Sequence, residues 1–224
     1  MIKLISFDLD GTLVDETNVD RLFWYGEVPR LYAEKHGLPL ADAKTKVFAE
    51  YDAVGRNHVN WYQPAYWFER FGLHPRHEEI IRELRKNVRL FPDTLQALAA
   101  LHGTCALVVL TNSTRSFVAA KVEAEGLSRF FAGIFSAVDD FGMVKKDASL
   151  YRALLDRFAV RADEAVHVGN DWEFDYIVPK QLGMRAFYLD RKKEKQKTEG
   201  IVWDLGEFAE KVRLLDDHYV RNLK

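Results

Sequence analysis

Cys105 is the only cysteine in this chain of 224 residues, so no disulfide can form within it; a reducing compartment such as the cytoplasm is the expected setting. Its neighbours in CALVVL are apolar, which points to a buried filler, because a reactive thiolate needs an exposed, electropositive environment. An excess of one charge is missing as well. With 32 basic and 34 acidic residues the net charge is −2, which leaves no electrostatic footprint for nucleic acid or for an anionic membrane surface. No apolar run approaches the roughly 20 residues of a membrane-spanning helix, and the opening MIKLISFDLDG turns acidic and glycine-bearing too soon for a signal peptide. Internal repeats are absent, and DRKKEKQKTEG (190–200) mixes both signs of charge as a solvated loop does.

What is present is the composition of a soluble globular chain, 48% hydrophobic and 29% charged. Five short apolar runs read as strands: KLISF (3–7), CALVVL (105–110), GIFSAV (133–138), AVHV (165–168) and RAFYL (185–189). They lack polar alternation, the pattern of strands buried on both faces of a parallel sheet. Helical patterns lie between them. Leu150, Tyr151, Leu154, Leu155 and Phe158 share one face, and Asp93 with Thr94 opens a helix that Gly103 can close. Alternating strands and helices imply right-handed crossovers and a doubly wound α/β sheet.

One connection breaks this rhythm. About a hundred residues separate Phe7 from Cys105, whereas a crossover with its helix needs only about 10 to 12. Helical patterns over about 18–36, 40–56, 62–72 and 76–88, with HGLP and FGLHP as stops, suggest a small inserted helical domain covering 16–90. The remaining segments, 1–15 and 91–224, would form the α/β core.

The strand ends carry the chemistry. In an open α/β sheet, ligands bind outside the carboxyl ends of the strands, and LISFDLDGT delivers Asp8 and Asp10 to such an end. Two carboxylates on one side of an extended chain repel unless a shared proton or a cation compensates, and Mg²⁺ would leave room for water and phosphate. Capping of a turn is the plainer role for the same residues. The later strand ends weigh against it. Thr111 and Asn112 follow the second strand at a helix start that favours an anion; Lys145 or Lys146 follows the third; and GNDWEFD after the fourth offers Asn170, Asp171 and Asp175 as oxygen donors. His167, within the fourth strand, reads as a buried structural residue. In the insertion Trp24, Tyr25, Trp61, Tyr62, Tyr66 and Trp67 should mostly pack the helices, with one or two facing a ligand, as Arg56, Asn57 and His58 could.

FDLDGTLVD, LTNS, GMVKKDASLY and HVGNDWEFD together resemble the four motifs of the haloacid dehalogenase-like hydrolase superfamily. The insertion after the first motif is similar to the family's C1 cap, and a Rossmann-like core is implied. The resemblance makes Asp8 the nucleophile and a metal ligand. It makes Asp10 the general acid and base, with its backbone carbonyl on the metal. Thr111 and Asn112 would bind phosphoryl oxygens, and the lysine of the third motif would stabilise Asp8 and the transferring group. Spacing from Gly142 favours Lys145 over Lys146, although the usual Lys-Pro is Lys-Lys here. The usual metal-binding Asp of the fourth motif is Asn170, so Asn170, Asp171 and Asp175 all stand as candidate ligands. A phosphatase acting with Mg²⁺ on a small phosphorylated metabolite is implied; a phosphomutase or a non-catalytic phosphate-binding module are the alternatives.

Overall fold

The computed structural model describes residues 1–15, 19–124, 126–145 and 147–221. Six strands form one parallel sheet in the order β3-β2-β1-β4-β5-β6: β1 (Leu4–Phe7), β2 (Ala106–Thr111), β3 (Gly133–Ser136), β4 (Ala165–Gly169), β5 (Arg185–Leu189) and β6 (Ile201–Val202). The first strand is central because β2 and β4 flank it, pairing Phe7 with Val109 and with Val168. The topological switch therefore lies at the tip of β1, where a crevice opens in sheets of this order.

Apolar residues cover both faces, as the uninterrupted runs imply. Ile5, Phe7, Val109, Val166 and Val168 belong to one cluster, and Leu4, Val108, Leu110 and Ala165 to another. Helix α6 (Thr94–Leu101), α7 (Arg115–Ala124) and α11 (Leu205–Arg221) contribute Leu98, Phe117 and Phe208 to the first; α9 (Ala148–Phe158) contributes Leu150, Tyr151, Leu154 and Leu155 to the second. The doubly wound α/β class expected from the sequence is the one observed.

The insertion is helical. A first helix runs as α1 (Val19–Leu22), a π-helical turn Phe23–Glu27 and α2 (Val28–His36), and is followed by α3 (Leu40–Val54), α4 (Pro64–Arg70) and α5 (His77–Leu84). Gly37 ends α2 in the left-handed conformation, φ 62°, which glycine adopts without the Cβ penalty. Phe23, Trp67, Phe68, Ile80 and Ile81 join the same apolar cluster as the first face of the sheet. Phe117 on α7 makes the junction, meeting Phe23 and Trp24 at ring-centroid distances of 5.2 and 5.8 Å.

Several local expectations need correction. GIFSAV is not all strand: Ser136 Oγ accepts from Asp139 N at 3.1 Å and starts the short helix Ala137–Phe141, since such a cap outcompetes the ladder. Asp93 and Thr94 do open α6, with Asp93 at the N-cap, although its carboxylate makes no cap bond and takes Arg191 and the Leu205 amide, at 2.9 and 2.7 Å. That helix ends at Leu101, before Gly103. Cys105 precedes β2 and is half-buried against the core. The charged stretch is exposed from Lys192 to Glu199, but Asp190 is buried, and β6 follows directly after it, two residues too short to read as a strand. Among the described residues, no helix is long and apolar enough to cross a membrane.

Candidate active site

Leu9 answers what lies between the two carboxylates of DLD: it is fully buried, as is Leu13, and together they anchor the turn from which Asp8 and Asp10 emerge. The turn is pinned from outside as well. Thr94 Oγ1 donates to Leu13 O at 2.8 Å and Arg191 Nη2 to Thr12 O at 2.7 Å. Asp8 itself continues the ladder, its amide donating to Val168 O at 2.9 Å.

The Asp8 carboxyl is 5% exposed. Lys145 Nζ, buried beside it, donates to Asp8 Oδ1 at 2.5 Å and to Asp175 Oδ1 at 2.6 Å, and Thr12 Oγ1 donates to Asp8 Oδ2 at 3.1 Å. Burial pushes the Asp8 carboxyl up to about 7, with Lys145 opposing and Asp175 and Asp10 adding to the rise. Asp175 goes the other way. Burial raises it, yet the Lys145 ammonium and the hydrogen bond from His167 outweigh that and hold it below the usual carboxylate range. Burial likewise disfavours the charged Lys145, and Asp175 and Asp8 more than compensate, so the amine stays protonated. Lys145 is thus bound as a cation between one firmly ionised carboxylate and one surplus carboxylate, Asp8, that is available to a further cation or to phosphorus.

His167 is fully buried, as expected, and it is wired to this group. Its Nε2 lies 3.2 Å from Asp175 Oδ1 and 3.3 Å from Tyr151 Oη, and its Nδ1 lies 3.0 Å from Ser6 Oγ. Burial lowers its pKa and keeps the ring neutral. Asp175 is held close by Gly169, where a Cβ would meet the carboxyl carbon at 2.3 Å.

Thr111 ends β2, buried, its Oγ1 accepting from Ser113 N at 3.1 Å. Asn112 bridges two regions: its Oδ1 accepts from Lys145 N at 2.9 Å, and its Nδ2 donates to Tyr62 Oη of the insertion at 3.2 Å. Tyr62 donates in turn to Arg56 O at 3.0 Å, and burial pushes its phenol up to about 12. Lys146, the alternative lysine, lies outside the described residues.

The three candidate donors after β4 part company. One end of the Asn170 amide lies 2.8 Å from Asp10 O, 3.2 Å from Asp8 Oδ2 and 3.3 Å from Thr12 Oγ1. With nitrogen there the two N–H groups of the amide are shared among these three acceptors. Turned over, it brings its oxygen against a carboxylate and a carbonyl, a cluster of hard donors that a cation such as Mg²⁺ would hold together. Gly11, at φ +76°, permits this approach, because a Cβ there would meet the other end of the Asn170 amide at 2.3 Å. Asp171 is turned elsewhere: its Oδ1 caps the next helical turn, accepting from Glu173 and Phe174 amides at 3.0 and 2.9 Å, and its Oδ2 pairs with Arg56 at 2.5 Å. Asp175 is spoken for by Lys145, His167 and the Asp171 amide. Among the described residues, no group of three or more His, Cys, Asp or Glu side chains gathers to hold a metal; the set that fits is mixed, carboxylate with carbonyl and amide.

Asp10 turns to another lysine. Lys121, fully buried on α7, ion-pairs with Asp10 Oδ1 and, at 2.6 Å, with Asp20 Oδ2 of α1; Ser113 Oγ donates to Asp10 Oδ2 at 2.5 Å. Burial works against the charge on Lys121, and Asp10 and Asp20 outweigh it, raising its pKa. Neither Lys121 nor Ser113 was a sequence candidate. The available signal was a lysine one helical turn after Phe117, on the face that also buries Val118 and Val122.

Above these groups a cavity of about 1090 Å³ opens toward the insertion. Trp24, Tyr25, Trp61 and Tyr62 line it together with Arg56, more rings than the one or two expected. Trp67 is fully buried in the helices and Tyr66 packs beside it, centroids 5.0 Å apart. His58 caps the turn Val59–Tyr62, its Nδ1 accepting from Asn60 N at 3.1 Å, and Asn57 is exposed.

A model of the haloacid dehalogenase-like hydrolase family matches residues 2–183. The phosphoglycolate phosphatase of Vibrio cholerae is 27% identical over 212 residues, covering 84% of each chain. Two curated relatives matched at 36% and 31% identity are spanned over less than half of their own length, 29% and 45%. Among solved structures, a phosphatase from Thermococcus onnurineus superposes with a TM-score of 0.82 at 24% identity, over 93% of this chain and 97% of that one. A hydrolase from Bacillus subtilis, solved bound to magnesium, gives 0.68 at 18% identity over 92% and 96%. Solved dehalogenases share the fold as well.

Proposed function

We propose that this chain, which belongs to the haloacid dehalogenase-like hydrolase family, is a phosphatase that hydrolyses a small phosphate monoester with Mg²⁺ through an aspartyl-phosphate on Asp8. The observation that carries this reading is the placement of Lys145 between Asp8 and Asp175, at the floor of a cavity and beside a mixed oxygen donor set. Phosphoryl transfer needs positioning and charge stabilisation above all, and here a surplus buried carboxylate and a bound cation meet where a phosphate can enter.

In this reading an Asp8 oxygen attacks phosphorus and the bond to the ester oxygen breaks. Asp10 gives the departing alkoxide its proton, then takes one from the water that attacks the aspartyl-phosphate, releasing phosphate and restoring Asp8. Thr111, Asn112 and Lys145 hold the phosphoryl oxygens. Asp8, the Asp10 carbonyl and Asn170 are the residues that would hold Mg²⁺, whose charge would offset that of the carboxylate and the phosphate. Asp175 acts behind them by fixing Lys145, and Asp171 by pairing with Arg56. Residues 16–90 form a cap domain over the core of 1–15 and 91–224, excluding water and shaping the substrate side. Halide displacement has no leaving alkoxide to protonate, so Asp10 favours the phosphate ester.

The test is a panel of phosphate esters assayed for released phosphate with Mg²⁺, with EDTA, and with Asp8→Asn. Release by the wild type that EDTA and Asp8→Asn both abolish is expected. A wild type silent across the panel would overturn the reading, and transfer to an added hydroxyl without free phosphate would turn it to a phosphomutase.

A further inference from the structure

We infer that Lys121 is a positioning residue for Asp10, and that it does this with an ammonium shared with Asp20 of the helical insertion. The inference rests on the role given above to Asp10. Lys121 stands on α7 of the core with its side chain fully buried, where an amine without partners is strongly disfavoured. Its Nζ meets Asp10 Oδ1, Asp20 Oδ2 at 2.6 Å and Ser113 Oγ at 3.5 Å, and lies 5.0 Å from the centroid of the Phe117 ring. The ammonium is therefore surrounded by two carboxylates, a hydroxyl and a ring face.

The consequence falls on Asp10. Both of its oxygens are held, one by Lys121 and the other by Ser113 Oγ at 2.5 Å, so the carboxyl has one orientation at the cavity edge. A group that gives and takes a proton depends steeply on such placement. The second carboxylate comes from α1, the first helix after the turn that carries Asp8 and Asp10. Lys121 thus ties the proton-transferring residue to the insertion through a single charge. Phe117 supports the same link, since its ring packs on Phe23 and Trp24 of that helix. Lys121 itself does not line the cavity, whereas Asp10 does; the lysine acts through Asp10.

The experiment uses the full chain. Steady-state kinetics with the best ester of the panel and Mg²⁺ are expected to show a kcat about 10- to 100-fold lower for Lys121→Met with KM within about twofold, an effect on proton transfer and not on binding. Asp20→Asn, a milder change in case Lys121→Met folds poorly, should lower kcat about 3- to 10-fold, again without moving KM. Asp20→Asn on the Lys121→Met background should add almost nothing, because the shared ammonium is already gone. Unchanged kcat in Asp20→Asn, or effects that simply add, would overturn the inference. The same cycle is read by thermal unfolding, which needs no turnover: Tm losses of the two single variants should exceed the additional loss in the double one, and additive losses would again overturn it. A wild type without phosphatase activity refutes the reading of the site and leaves the unfolding cycle to decide the link.

Discussion

Lys145 and Lys121 are the two lysines buried among the described residues, and each ammonium lies between two aspartates. The carboxylates differ in origin. Asp8 stands at the carboxyl end of β1 and Asp175 in the π-helical turn Trp172–Ile177 that follows the neighbouring β4, so both carboxylates around Lys145 belong to the α/β core. Asp10 belongs to the turn after β1, while Asp20 belongs to the insertion, so the geometry around Lys121 depends on how two regions meet. One ion-pair group is internal to the core; the other is a property of a junction. The contrast sets what substitution at each should do.

Lys145→Met should have the larger effect. In the proposed mechanism it removes the cation that meets the transferring phosphoryl group, for which a loss in kcat on the order of 10³ is expected, and it leaves Asp8 and Asp175 facing each other without compensation, destabilising the fold by about 3–5 kcal/mol. Lys121→Met should cost comparable stability with the smaller loss in kcat described above. Turnover and thermal melting measured on both variants check the difference. Equal losses of kcat would erase the distinction between a lysine that meets phosphate and one that acts through a carboxyl group.

The Asp8 side of the comparison has a pH signature in metal-free protein. Its carboxyl is raised by burial to about 7, so the folded form keeps a proton that the unfolded chain releases near pH 4. The stability this confers is fully present below the unfolded value and declines as pH rises to about 7. Between pH 5 and 8 the decline amounts to about 3 kcal/mol, two units at about 1.4 kcal/mol each. Asp175, held low, makes its loss below pH 4 and stays outside this window. His167, lowered by burial, gains stability as pH rises, but it is common to wild type and Asp8→Asn. Melting curves of the two proteins in EDTA should therefore diverge steadily from pH 5 to 8, with Asp8→Asn the flatter. Parallel curves would show that Asp8 is not the surplus charge.

The same contrast explains what could be read from the residues alone. Parallel strands covered on both faces appear as unbroken apolar runs, and the chemistry of such a sheet sits where each run stops. Asp8, Thr111 and the residues after β4 were therefore visible beside strand ends, whereas Lys145, separated from β3 by the helix Ala137–Phe141, was legible from the third motif. Lys121 and Asp20 were not. Their meeting depends on the packing of α7 against α1, and neither residue stands at the end of a strand. The turn at Ser136 and the two-residue β6 were missed for a related reason, a local cap and a tertiary pairing that outweigh pattern. Asn170, in the position where the family pattern has Asp, kept its place beside Asp8, while Asp171 spends its carboxylate on a helix cap and Arg56, a division of labour that spacing could not decide.

Smaller effects sharpen the junction further. Tyr62→Phe removes a hydroxyl that accepts from Asn112 and donates to Arg56 O, one neutral hydrogen bond between insertion and core and one within the insertion. A loss of about 1–2 kcal/mol in stability is expected, with KM rising because Asn112 loses one of its anchors; unchanged values in both would remove Tyr62 from the link.

Arg56→Ala should matter least, although Arg56 makes the more conspicuous bridge. Its guanidinium pairs with Asp171 at 2.5 Å and Glu173 at 3.4 Å and covers the Phe174 ring at 4.5 Å, yet its side chain is 48% exposed. Water and salt already screen such a pair, which is worth about 0–1 kcal/mol, and the ring contact adds on the order of 0.5–1 kcal/mol. Chemical denaturation of Arg56→Ala should show a loss below about 2 kcal/mol that shrinks as salt is raised, whereas the loss in Lys121→Met should persist in high salt because its ion pairs are shielded from solvent. A salt-insensitive loss in Arg56→Ala as large as that of Lys121→Met would mean that burial does not rank the two bridges, and that the exposed one carries the junction.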